Sequence, residues 1–260
     1  MGIELKVFRI QVVVLIAVFL VGTSFASGKM TTEPASLKLI VYGATGRVGS
    51  RVVDEALNRG YRVIAVSRDP ARVIRKHENL SAIQGNVLDP ESVAALVNGQ
   101  YVVIVSVRGS VDKSKDPEKT VHRVAAEVVV GVLRDMGKIA PRLIFVGGAG
   151  SLEVKPGVLY ADSIPWLMRM TMPRSLRQEI DGHVLTLEYL RNVDKVRWTY
   201  ISPPKKFGPG KRTGIYRIGG DQMLKDEKGR SKISMEDFSV ALIDEVENAQ
   251  FIGKRFSVAY

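Results

Sequence analysis

No cysteine occurs in the 260 residues, which excludes disulfides, thiolate chemistry and a lipid-modified cysteine anchor. The redox compartment stays open, because a cysteine-free chain suits an oxidising and a reducing one alike. Histidine is scarce, with three residues, so side-chain proton transfer near neutral pH rests on very few positions. The apolar run Val12 to Val21 falls short of the ~20 residues of a comfortable membrane span. Internal repeats, low-complexity segments, metal-ligand clusters, and zinc-finger or RNA-binding motifs are all missing. A formal net charge of +11 therefore favours anionic ligands or headgroups without making nucleic acid an expected partner.

Lys6 and Arg9 precede that apolar run, and Ser24-Phe25-Ala26 follows it, the layout of a secretory signal cut after Ala26. An uncleaved anchor, attaching the chain to a membrane through residues 10–26, is one alternative; Met30 as the true initiator is another. The chain is thus expected to be exported (periplasmic or extracellular) or membrane-anchored, and cytoplasmic only if it starts at Met30. Loss of residues 1–26 removes two cations and one anion, lowering the formal charge from +11 to +10. Residues 27–36 read as a linker and 37–260 as one domain.

The stretch "LIVYGATGRVGSRVV", Leu39 to Val53, sets Gly43, Gly46 and Gly49 between an apolar run and a segment with apolar residues at helical spacing (Val48, Val52, Val53, Ala56, Leu57). A strand that feeds a helix through such a turn leaves the first N–H groups of the helix free to seat an anion such as a pyrophosphate. Gly43 can take a positive φ, Gly46 removes a Cβ where phosphate approaches, and Gly49 lets the helix lie close to its strand. Context strengthens the motif. Strand-like runs at 61–69, 80–87, 101–109, 141–150 and 197–203 alternate with helical patterns at 46–58, 90–97, 118–136 and 176–192. That alternation predicts a Rossmann-type α/β fold, a doubly wound parallel sheet, in a single domain with a small C-terminal substrate-side elaboration. The elaboration comprises a basic loop (205–214), a short strand, a helix opened by Ser234 and Asp237 as a capping pair, and a last strand "RFSVAY".

With "GATGRVGS", "VSRDPARV", "GNVLDPESV", "VGGAGSL" and "WTYISPP" in this order, the chain from about Leu37 onward resembles the atypical short-chain dehydrogenase/reductases. The resemblance is strongest to the small NAD(P)H-binding branch that includes flavin reductase/biliverdin reductase B and the nitrogen-metabolite-repression regulators. It implies a pyrophosphate against Thr45, Gly46, Arg47 and Val48, and the adenosine 2′ end near Arg68 and Arg72. It further implies that Asn86 and Val87 flank the adenine, that Val107 and Arg108 cover the adenosine ribose, and that Gly147, Gly148 and Pro203 lie at the nicotinamide end. A hydroxyl and a guanidinium at Ser67-Arg68 suit a 2′-phosphate, so NADP (NADPH) is expected over NAD; Asp69 is the alternative ribose ligand if the strand ends one residue later.

One departure bears on chemistry. The family's Tyr-x-x-x-Lys pair is absent: the fourth residue after Tyr160 is Ile164, and after Tyr189 it is Val193. Where flavin-reductase relatives carry a serine, this chain has Gly148, with Ser151 the nearest hydroxyl. His183, near Asp181, is the candidate proton donor, at about the position where several relatives place a lysine facing the cofactor; a helix-start histidine with no chemistry is the competing reading. His77 and His122 read as solvated helix positions. The segment 164–177, with Trp166, three methionines and three arginines, reads either as a flap over the nicotinamide pocket or as an amphipathic piece packed on the core. The loop 205–212 could hold an acidic substrate. The expected activity is hydride transfer to a flavin, quinone or similar planar acceptor, with a non-catalytic NADP-binding sensor or scaffold as the alternative and a nucleotide-sugar epimerase or dehydratase third.

Overall fold

The computed structural model describes residues 37–109 and 116–260. The expected signal, anchor and linker lie outside the described residues, within which no helix is long and apolar enough to cross a membrane.

The first half alternates β1 (Lys38–Tyr42), α1 (Gly49–Asn58), β2 (Arg62–Ser67), β3 (Leu80–Gln84), α2 (Pro90–Val97), β4 (Val102–Val105), α3 (Val121–Met136) and β5 (Arg142–Val146). A hairpin of β6 (Glu153–Lys155) and β7 (Val158–Leu159) then leads into α4 (Tyr160–Ser163), α5 (Trp166–Thr171) and α6 (Arg174–Arg191). The chain ends with β8 (Trp198–Ser202), β9 (Lys206–Gly208), β10 (Arg217–Gly219), β11 (Lys232–Ser234), α7 (Met235–Asn248) and β12 (Lys254–Ala259). Eight strands form one sheet in the order β10-β12-β8-β5-β4-β1-β2-β3. Every pairing in it is parallel except that of edge strand β10 with β12.

Strands covered on both faces should be apolar, and β1, β4 and β5 are, save for the first residues of β1 and β5, Lys38 and Arg142. Leu39 and Val41 of β1, with Val102 and Ile104 of β4, face the core under α1 and α7. Ile40, Tyr42, Val103 and Val105 face the core under α2, α3 and α6. Helix α7 is capped as its sequence predicts, the Ser234 hydroxyl accepting from Asp237 N at 3.0 Å. The Asp237 carboxylate does not reach back to Ser234. It accepts instead from the N–H groups of Thr213 and Gly214, at 2.7 and 2.8 Å, and pins the preceding loop.

Because β1 pairs with both β2 and β4, the winding reverses there. Open α/β sheets seat ligands beyond the carboxyl ends of the strands at such a reversal. The glycine turn occupies that place.

Candidate functional site

Each glycine of the turn has a different reason to be glycine. Gly43 sits at φ +79°, and a Cβ on it would overlap the Ser106 carbonyl at the end of β4. A Cβ on Gly49 would overlap the Gly43 carbonyl, so α1 starts directly against the turn. Gly46 is exposed, and its Cβ would meet only the Gly43 carbonyl, at 3.0 Å, with nothing else closer than 3.9 Å. Helix α1 begins at Gly49 rather than at Gly46, with Gly46 N donating to Gly43 O at 2.9 Å. No side chain caps α1 and no acidic residue lies in its first turn, so its positive end is left to an anion. Thr45, Arg47 and Val48 surround this opening, Thr45 partly exposed, Arg47 exposed, and Val48 leaning on the core. The bare cradle and uncapped helix fit a dinucleotide pyrophosphate.

Strand β2 ends at Ser67, not at Asp69. The Asp69 carboxylate is turned inward to accept from Ala71 N at 3.2 Å, capping the short turn Pro70–Arg72. The Ser67 hydroxyl is bonded to the Asp69 backbone. What remains free at the strand end is the pair Arg68 and Arg72, both exposed and neither in an ion pair among the described residues. Of the next pair, Val87 is buried in the core while Asn86 stays exposed, its side-chain oxygen accepting from Leu88 N at 3.1 Å. Val107 leans over the turn, 3.2 Å from where a Gly43 Cβ would be. Arg108 reaches the other way and grips Glu179 of α6 with two bonds, 3.0 and 2.9 Å.

A family model described as NAD(P)H-binding matches residues 43–248. The chain belongs to the NAD(P)H-binding family. It has the Rossmann fold of an atypical short-chain dehydrogenase/reductase. Among solved structures, a Burkholderia pseudomallei protein described as a candidate exported protein is 36% identical, with a TM-score of 0.71 over 86% of this chain and 100% of that one. A candidate epimerase from Bacteroides thetaiotaomicron is 31% identical, with a TM-score of 0.75 over 86% of this chain and 97% of that one. A candidate NADH-flavin reductase from Streptococcus pneumoniae is 27% identical, with a TM-score of 0.72 over 86% of this chain and 99% of that one.

In this NAD(P)H-binding chain the far end of the cleft is closed by an arrangement that sequence reasoning only half found. At the end of β5, Gly147 is packed on the Tyr200 ring, and Gly148 on His183, whose ring would be 2.6 Å from a Cβ at 148. The space that a serine side chain would start to fill is therefore taken by an imidazole from α6. Tyr200 of β8 donates its hydroxyl to the His183 carbonyl at 3.0 Å and lies 3.3 Å from Nδ1. A neutral ring with its proton on Nδ1 satisfies both contacts and leaves Nε2 an acceptor. Pro203 is buried just past the end of β8.

Four positions stand differently from their sequence reading. His122 is not solvated: it is fully buried on α3, its ring stacked on His183 with centroids 3.8 Å apart and planes 12° apart. Both its nitrogens lack a hydrogen-bond partner among the described residues. The signal was in the spacing, since His122 shares a helical face with Ala125, Ala126, Val129 and Leu133. Asp181 does not orient His183; Arg169 holds its carboxylate through two 2.6 Å bonds. The segment 164–177 is not packed on the core either, for only Ile164 is buried, while Trp166 is 72% exposed and Leu167, Met168 and Met170 are exposed with it. His77 is indeed exposed, in the loop before β3 rather than on a helix.

Burial pushes the His183 imidazole down to about 4, with the Arg108 guanidinium adding to the effect. Burial likewise holds His122 far below the ordinary histidine value, the neighbouring His183 and Arg108 assisting. The Tyr200 hydroxyl is pushed up by burial. Near neutral pH the group facing Gly148 is thus an uncharged imidazole backed by an uncharged phenol.

Proposed function

We propose that the protein is an NADPH-preferring reductase that passes hydride to a planar acceptor of the flavin or quinone kind. The supporting observation is the uncharged His183–Tyr200 pair behind the bare Gly147-Gly148 edge. Carbonyl reduction wants a poised acid at the reacting oxygen, whereas a flavin or quinone can take its proton from solvent. When bound, the dinucleotide supplies the hydride. The chain's own residues would orient and shield it: the glycine turn and the N-terminus of α1 would hold the pyrophosphate, Arg68 and Arg72 would hold the 2′ end, and Gly147 and Gly148, packed on Tyr200 and His183, would border the nicotinamide end. The candidate NADH-flavin reductase among the similar structures agrees with this reading.

His183→Ala is expected to leave NADPH affinity unchanged and to slow turnover less than about tenfold, with no new inflection in the pH–rate profile between about pH 5.5 and 8. A loss of ~10²-fold or more would make His183 a proton donor after all and return carbonyl substrates to consideration. For the cofactor preference, Arg68→Ala should weaken NADPH by roughly 10- to 100-fold, since a charge-assisted contact contributes ~1.5–3 kcal/mol, and should barely change NADH. Equal losses in calorimetric titrations of the two cofactors would contradict the assignment.

A further inference from the structure

The segments that leave the carboxyl ends of β5 and β8 border an open cavity of about 330 Å³. Its walls include Tyr160 at the start of α4, Met168 of α5 and Met223 of the loop after β10, and its polar lining includes Lys205, Lys225 and Ser231. No carboxylate lines it. Lys205 is three residues past the end of β8 and is held over the Tyr160 ring, with Nζ 5.4 Å from the centroid. Neither lysine has an ion-pair partner among the described residues, although Arg212 of the same basic loop is committed to Glu55 at 2.7 and 2.8 Å. Ser231 is 8% exposed, and its buried hydroxyl has no hydrogen-bond partner among the described residues.

A buried hydroxyl left unpaired costs the desolvation of that group, roughly 1–3 kcal/mol, unless something completes it. Two unpaired ammonium groups at one opening raise the local potential for an anion. Thioether and aromatic walls, by contrast, suit an apolar body. We propose that this cavity binds a small ligand with an apolar or aromatic body and an anionic group, a carboxylate or a phosphate, and that the anion is met by Lys205 and Lys225 with Ser231 donating beside them. We assign this ligand as the hydride acceptor, a step that rests on the hydride-transfer reading; the binding site itself does not.

Two pairs of probes test it on the full-length chain without cofactor. FMN and riboflavin share a ring system and differ by a phosphate, and 2-naphthoate and 2-naphthamide differ in charge at the same position. At least one anion should bind tenfold or more tighter than its neutral twin in fluorescence titrations, and which anion does so separates phosphate from carboxylate. Lys205→Gln with Lys225→Gln should erase that difference, leaving the melting temperature and NADPH affinity as they were. Ser231→Ala should weaken the same anion several-fold without lowering the melting temperature. Equal affinity within both pairs, no binding of either anion at millimolar concentration, or an anion preference that survives these substitutions would overturn the proposal while leaving the cofactor site standing. Failure of the wild-type chain to bind NADPH would count against the reductase reading alone, because the probe titrations need no cofactor.

Discussion

Gly46→Val is expected to abolish measurable NADPH binding, a loss of ~10²-fold or more, in a protein whose circular dichroism is unchanged. The size follows from the contacts at stake, since two or more charge-assisted bonds to the pyrophosphate, each contributing ~1.5–3 kcal/mol, depend on phosphate reaching the backbone there. The selectivity follows from geometry. Gly46 is exposed and has no positive φ, and an added Cβ meets only one carbonyl, at 3.0 Å, a few tenths of an ångström too close. Gly43→Val and Gly49→Val should behave differently, losing stability as well as cofactor, because their side chains would start inside the carbonyls of Ser106 and Gly43 and Gly43 is also at φ +79°. If all three variants lost binding only in proportion to lost fold, the turn would be a structural feature and nothing more.

Acid should destabilise this protein earlier than its carboxylates alone would. His122 and His183 both have folded values depressed below the ordinary 6.5, His183 to about 4 and His122 further. Between those values and 6.5 the unfolded chain binds more protons than the folded one, so stability is full above about pH 6.5 and falls as pH drops, by up to about 1.4 kcal/mol per pH unit for each histidine. The His183 contribution levels off below about 4, and that of His122 does not. Glu55, whose carboxyl is held low chiefly by its bond from Arg212, begins to lose its share only below the ordinary 4.5. The window from about pH 6.5 to 4.5 therefore isolates the histidines. Urea midpoints measured across it should decline steeply in the wild type and about half as steeply in His122→Leu. An unchanged slope in the variant would mean that His122 is not buried uncharged against His183.

How much of this was legible beforehand depended on sequence distance. The glycine turn, the β/α alternation and the Ser234 cap are decided within a few residues, and each reads correctly from local spacing. The expected start of helix α1 at Gly46 is three residues early, because Val48 fits the apolar spacing of the helix while the chain is still in the turn. The His122–His183 stack joins residues 61 apart through the packing of α3 on α6, and no pattern local to either one announces the other. Gly148 was visible as a departure from its relatives, yet its consequence, room for an imidazole, needed α6 in place. Tyr200 sits in a strand buried along its whole length, so its burial was predictable, but its bond to the His183 carbonyl was not. Arg255 is a similar case: it lies in the last strand and binds Asp221, Ser202 and the Ser151 carbonyl, a network assembled from three separate loops and strands.

The most direct test of the reductase reading is anaerobic turnover. The full-length chain, mixed with NADPH and either FMN or a benzoquinone, should consume nicotinamide absorbance and reduce the acceptor well above the rate of the Gly46→Val control, and faster with NADPH than with NADH. Tight NADPH binding with no acceptor in a broad panel reduced above that control would contradict the account and leave a nucleotide-binding sensor in its place.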